Sequence, residues 1–116
     1  MAFSMLDIIE INSFELDRYA SIPMLLEVRS IFEPHLPENG LGGIQLIEKA
    51  VTPYIKDYDE FGGPLSWRTE FDTSRWGFFL AVDNGGQALG GAAVAWNTDG
   101  VNMLEGRSDL SVLWDI

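Results

Sequence analysis

The chain has 116 residues, of which 47% are hydrophobic and 22% charged, so it is long and apolar enough for one domain with its own core. Its formal net charge of −11 repels the phosphate backbone of nucleic acids and either attracts cationic ligands such as amines or serves solubility. It has no cysteine, no apolar run long enough for a membrane helix and no secretory signal pattern, so the sequence predicts a cytoplasmic protein with no disulfide, no membrane partner and no nucleic-acid partner.

The first elements in chain order are a strand and an apolar stripe at helical spacing. Met5 to Ile11 is β-rich with apolar residues on both faces, which predicts a strand that is covered on two sides. Ser21 and Pro23 are typical of a helix N-terminus, and Pro34 is typical of a helix end. The apolar residues between them recur at helical spacing and predict a helix: Met24, Leu25, Val28, Ile31 and Phe32.

A loop from His35 to Gly43 separates this stripe from a second one. The loop contains Pro37, Asn39 and three glycines, which are turn formers. The second stripe keeps helical spacing across Pro53, which predicts a kinked helix or two short helices. Its members are Ile44, Ile47, Val51, Tyr54, Ile55 and Tyr58. Asp59 to Pro64 then predicts a break.

The apolar period changes to two from Trp76 onward. One predicted strand face carries Trp76, Phe78, Leu80 and Val82. Asp83-Asn84-Gly85-Gly86 favours a tight turn, and Gln87 to Trp96 returns from it, so the sequence predicts a β-hairpin. After a turn at Asn97 to Gly100, a last strand is predicted with Leu110, Val112, Trp114 and Ile116 on one face and Ser111, Leu113 and Asp115 on the other.

The predicted order is therefore β-α-α-β-β-β, in a single α+β domain that spans residues 1–116. The hairpin WGFFLAVDNGGQALGGAAVAW resembles the second and third strands of the GNAT superfamily of N-acetyltransferases, and DLSVLWDI resembles their fourth strand. The resemblance implies a partial acyl-CoA N-acyltransferase fold, which belongs to the three-layer α/β architectures. In it the last three strands form an antiparallel meander.

The resemblance covers about half of a family member. In the family, the fourth strand leads into a glycine-rich loop at the start of a helix, which holds the cofactor pyrophosphate. This sequence has no such loop, so the main acetyl-CoA motif is absent. The implied activity is transfer of an acyl group from acetyl-CoA to an amine substrate, with Ile116 beside the cofactor. The 116-residue chain alone is expected to be inactive.

The resemblance also selects three acidic residues. Asp115 lies near the implied position of the acyl group, where it would orient the amine or act as its base; the alternative is a strand-end carboxylate that faces solvent. Glu70 and Asp72 precede the hairpin, where family members place substrate contacts; the alternative is that both are loop charges. His35 is the single histidine, which excludes a multi-histidine metal site, and no metal is predicted.

Three functions remain open at this point. The chain is the N-terminal half of an acyltransferase, or a non-catalytic GNAT-like module that binds a protein partner, or an unrelated small α+β ligand-binding domain. The final strand lacks its usual neighbour in the first two cases, and an apolar open edge recruits other strands. The sequence therefore predicts a homodimer, or pairing with a second chain, through residues 110–116.

Overall fold

The computed structural model describes residues 5–116, which form two compact units. One unit contains the chain up to Pro23 and again from Asp59, and the other contains Met24–Tyr58. The elements in chain order are β1 (Asp7–Ile11), α1 (Leu16–Ala20), β2 (Leu25–His35), β3 (Gln45–Asp57), α2 (Pro64–Glu70), β4 (Gly77–Val82), β5 (Ala88–Trp96) and β6 (Ser111–Asp115). The structure is therefore of the α+β class, with two short α-helices.

The larger unit is built on a four-stranded antiparallel sheet with the order β1-β4-β5-β6. The predicted first strand, hairpin and final strand form, and the last three strands make the predicted meander. The prediction that the first strand is covered on two sides is wrong, because only the face with Ile9 and Ile11 packs on the core, whereas Ile8 on the other face is 70% exposed. β1 and β6 are the two edges of this sheet. The α+β prediction is confirmed, while the helix positions within it are not.

The turn between β4 and β5 explains why the sequence predicts this hairpin. The Asp83 carboxylate accepts hydrogen bonds from the backbone amides of Gly85 and Gln87, both at 2.9 Å. Gly86 has a φ of +79°, a conformation that glycine adopts without steric cost. The aspartate therefore stabilises the turn through hydrogen bonds, and the glycine allows the backbone conformation that the turn requires.

One face of the sheet carries the core. The predicted strand face is confirmed, because its four residues are all buried: Trp76, Phe78, Leu80 and Val82. The helices cover this face with Leu16 and Tyr19 from α1 and Trp67 from α2. Aromatic rings form its centre: Tyr19, Trp67, Phe71, Trp76, Phe78 and Trp114.

Among the described residues, no helix of the larger unit packs on the opposite face of this sheet, here called the outer face. Ile8 of β1 and Leu113 of β6 are 70% and 58% exposed, although both are large and apolar. Between the edges lies a groove of about 350 Å³ with a floor of small residues from β4 and β5: Ala81, Gly90, Gly91 and Ala92. Exposed apolar surfaces of this kind are typical of interaction or ligand-binding sites.

The smaller unit corrects both predicted helices. Residues 24–35 and 44–58 do not form helices but the two strands of an antiparallel ribbon, β2 and β3, joined by the predicted loop. No residue of this unit is buried. The order β-α-α-β-β-β is therefore wrong, and the observed order is β-α-β-β-α-β-β-β.

Pro53 is accommodated by an irregularity in this ribbon. Val28 pairs with Tyr54 and Ser30 pairs with Ala50, so residues 51–53 lie opposite Arg29 alone. Proline cannot donate to a strand ladder and is tolerated at bulges. A proline that would have kinked a helix therefore occupies a bulge in a strand.

The two helices that do form were not predicted. The chain enters α1 through a 3₁₀ turn, where the Asn12 side chain accepts a hydrogen bond from the Phe14 amide at 2.9 Å. α2 begins at Pro64, which suits the first helical turn because its missing N–H is not needed there. With five and seven residues, both are too short to show an apolar period.

Candidate functional site

A β-bulge in β6 determines where Asp115 points. Leu113 pairs with Val94, and Asp115 pairs with Ala93, the residue that precedes Val94 in β5. Trp114 is therefore the extra residue of the bulge. Ala93 is fully buried in the core, and Asp115, its partner, lies on the same face of the sheet. The bulge therefore brings Asp115 to the helix-covered face.

The predicted alternation along this strand is wrong for the same reason. Trp114 also packs on the core, with its ring centroid 5.3 Å from that of Phe71. Asp115 and Trp114 therefore lie on the same face of the sheet, whereas the predicted alternation placed them on opposite faces. The alternation resumes one residue later, which moves Ile116 to the outer face, where it lines the groove.

Asp115 is half-buried and bound to a tyrosine 96 residues away. The Tyr19 hydroxyl donates a hydrogen bond of 2.7 Å to Oδ2 of Asp115. Burial raises the pKa of the Tyr19 phenol well above its ordinary value, and the hydrogen bond to the Asp115 carboxylate raises that pKa further. The phenol therefore stays protonated at neutral pH, donates its hydrogen bond to Asp115 and cannot act as a base. The alternative of a solvent-facing Asp115 does not match this arrangement.

The ring of Tyr19 is held between the sheet and α2. A Cβ atom at position 91 would lie 2.7 Å from Cζ of Tyr19, so only glycine lets the ring rest on β5. On its other side, Tyr19 meets Trp67 edge to face, with ring centroids 5.2 Å apart. Gly91 is therefore a place of close packing, and Leu89, two residues earlier, is the extra residue of a second bulge, between β4 and β5.

Glu70 and Asp72 lie together in a different place. Both line a polar cleft of about 370 Å³ at the end of α2, and Asp115 is not among its residues. The Ser74 side chain and its backbone amide, which donates to Oδ1 of Asp72 at 3.1 Å, lower the pKa of Asp72. The remaining lining residues are Phe71, Arg75, Asn97, Thr98 and Asp99. Three carboxylates against one guanidinium make the cleft suitable for a cation.

Sequence reasoning missed Tyr19 and Asp99 as partners of the candidate residues. Tyr19 precedes Ser21, the predicted start of a helix that does not form, so its packing on β5 had no local signal. Asp99 follows β5 in a turn and reaches the cleft only because the sheet brings β5 beside β4. Neither contact is visible in residue spacing.

The residues present do not fit the pyrophosphate of acetyl-CoA. Ile116 is 81% exposed and lines the outer-face groove, which is apolar and suits a hydrocarbon group. The larger unit has no lysine, and none of its four arginines lines the groove: Arg18, Arg68, Arg75 and Arg107. No described loop presents backbone amides at the start of a long helix.

Residues 5–116 contain neither a group of metal ligands nor a helix that could span a membrane. No three acidic or histidine side chains are grouped so that they could hold a metal ion. His35 is exposed at the end of β2, next to the predicted loop. No helix of this part of the chain is long and apolar enough to cross a membrane.

Comparison of the sequence with protein-family models finds no match, and comparison with curated proteins finds no significant match.

Proposed function

We propose that this chain is the N-terminal half of an acetyl-CoA-dependent N-acyltransferase of the GNAT type, which transfers an acetyl group to an amine. The observation that carries the proposal is the open sheet. The β4-β5-β6 meander has β6 at an edge, and its outer face is apolar and carries no helix of the larger unit among the described residues. A second half, in a longer gene product or in another chain, would pair with the β6 edge and cover the outer face.

The residues of this half act on the acceptor amine. The net charge of −11 raises the local concentration of a cationic substrate. The cleft with Glu70 and Asp72 offers one acidic surface for it, and Asp115 offers a second, more buried one. Contacts with the cofactor pyrophosphate belong to the second half, because no described residue here suits them.

The test is the intact mass of the purified natural gene product, followed by a thermal-shift titration with acetyl-CoA. We expect a species heavier than 12.9 kDa, or a complex of two chains, that acetyl-CoA stabilises. A ligand at about 100 times its Kd contributes about 2.7 kcal/mol to the free energy of unfolding, which is several degrees in Tm for a small domain. ADP is the control for general nucleotide binding.

A species of 12.9 kDa without a shift would contradict the proposal. It would favour the second function, a non-catalytic module that binds a protein partner through β6. The same open edge supports this alternative, because an extended segment of a partner adds readily to an unpaired strand.

A further inference from the structure

The hydrogen bond between Tyr19 and Asp115 uses only one side of the carboxylate. Oδ2 accepts the Tyr19 hydroxyl at 2.7 Å, and Oδ1 accepts no hydrogen bond from residues 5–116. None of the ion pairs in the described part of the chain involves Asp115. The carboxylate is therefore oriented by a neutral donor, and its charge is left without a cationic partner.

We propose that Tyr19 is a positioning residue, whose hydroxyl fixes the Asp115 carboxylate so that Oδ1 binds the ammonium group of the acceptor amine. The inference rests on the proposed function, because it assigns the amine-binding group of that reaction. It selects Asp115 over the cleft with Glu70 and Asp72 as the place where the reacting nitrogen is bound.

The packing of Tyr19 makes it a rigid support. The ring is 4% exposed and lies against Gly91 on one side and Trp67 on the other, so the hydroxyl has a fixed position. A carboxylate held in its binding geometry loses less conformational entropy when a ligand arrives. Tyr19 therefore lowers the cost of binding without touching the ligand.

The choice of a phenol has an electrostatic consequence. An arginine or lysine at this position would neutralise Asp115 and repel an ammonium group, whereas the raised pKa of Tyr19 keeps it a neutral donor. Asp115 is also half-buried, where weaker solvent screening strengthens its attraction for a cation. In the cleft, by contrast, Glu70 and Asp72 are exposed and Arg75 lies among them.

The experiment is an NMR titration of the full chain with n-butylammonium chloride at neutral pH, followed on the backbone amides of residues 113–116. n-Butanol is the matched neutral probe. The expected result is a saturable shift with the amine and none with the alcohol. Asp115→Asn, which keeps the size of the side chain, abolishes the shift. Tyr19→Phe keeps the ring on Gly91 and raises the apparent Kd about tenfold, as expected when a hydrogen bond to a charged group is lost.

Two variants serve as controls. Tyr54→Phe removes the hydroxyl of an exposed tyrosine in β3 and leaves the titration unchanged. The double variant Glu70→Gln with Asp72→Asn removes two charges from the cleft and retains the shift at residues 113–116. These controls distinguish binding of the amine at Asp115 from a general effect of the chain's negative charge.

The inference fails if the wild-type chain shows no saturable shift with the amine, or if Tyr19→Phe binds the amine as tightly as wild type. It also fails if the cleft variant alone abolishes binding. The acetyl-CoA thermal shift distinguishes this failure from failure of the proposed function. If acetyl-CoA stabilises the protein but the amine causes no NMR shift near Asp115, the proposed acyltransferase function stands and the acceptor amine binds elsewhere.

Discussion

At Gly91, the Tyr19 ring of the first helix rests directly on the sheet. Replacing Gly91 with alanine would place a Cβ atom 2.7 Å from the Tyr19 ring, and that ring cannot move freely because Trp67 and Asp115 hold it. We expect Gly91→Ala to lower the free energy of unfolding by about 1–3 kcal/mol, as overpacking of a core does. Urea unfolding measures the change.

Gly90→Ala is the matched control for this substitution. Its Cβ would point to the outer face and lie 3.9 Å from that of Ala81, which is ordinary contact. Alanine in place of a strand glycine is neutral or slightly stabilising there. Equal destabilisation by both substitutions would show that Tyr19 does not rest on Gly91.

Tyr19 also gives the stability a dependence on alkaline pH. Its folded-state pKa is raised, so the native state retains a proton that the unfolded state loses above about pH 10. This contribution is fully present below that pH and is lost as the pH rises further. Above about pH 10, the free energy of unfolding should therefore fall more steeply with pH for wild type than for Tyr19→Phe. Parallel curves from urea unfolding would refute the assignment.

At the residue scale, the sequence predicted Asp115 as a candidate but not its surroundings. Strict alternation placed it opposite Trp114, because a bulge leaves no mark on the apolar pattern. Its partner Tyr19 is 96 residues away, and no spacing rule connects them. Glu70 and Asp72 were predicted together because both precede the hairpin, where the resemblance implies substrate contacts, whereas Asp99 joins them only through the sheet.

At the element scale, β4 and β5 were predictable because one face is buried and the turn residues are distinctive. The ribbon of β2 and β3 was not, since none of its residues is buried and no clean alternation results. Apolar residues on both of its faces coincide with helical spacing. The abundance of β-branched residues such as Val51, Thr52 and Ile55 was the signal that favoured strands.

The ribbon should therefore be the less protected part of the chain. A two-stranded ribbon without buried side chains is marginally stable, and its backbone hydrogen bonds open with little loss of apolar contact. We expect amides of β2 and β3 to exchange with solvent deuterium much faster than those of β4 and β5. Equal protection in a hydrogen-exchange experiment would show that another surface covers the ribbon in solution.

At the scale of the whole molecule, charge and apolar surface are unevenly distributed. Residues 24–58 contain 5 acidic and 3 basic residues, a net charge of −2, so the other unit carries the remaining −9 of −11. That unit also has the apolar outer face and the open edge of β6. An exposed apolar face beside an unpaired strand favours association over a free monomer.

Leu113 offers a way to test this association without disturbing the core. It lies on the outer face of β6 and is 58% exposed, so Leu113→Lys adds a charge to the open surface only. Leu41→Lys is the matched control, because Leu41 is 90% exposed in the loop between β2 and β3. We expect the first substitution to weaken self-association and the second to leave it unchanged.

Sedimentation velocity of the chain over a dilution series tests whether the open sheet recruits a second half. We expect concentration-dependent dimers or larger species for wild type and for Leu41→Lys, and a shift toward monomer for Leu113→Lys. A wild-type chain that sediments as a stable monomer at every concentration would contradict this expectation.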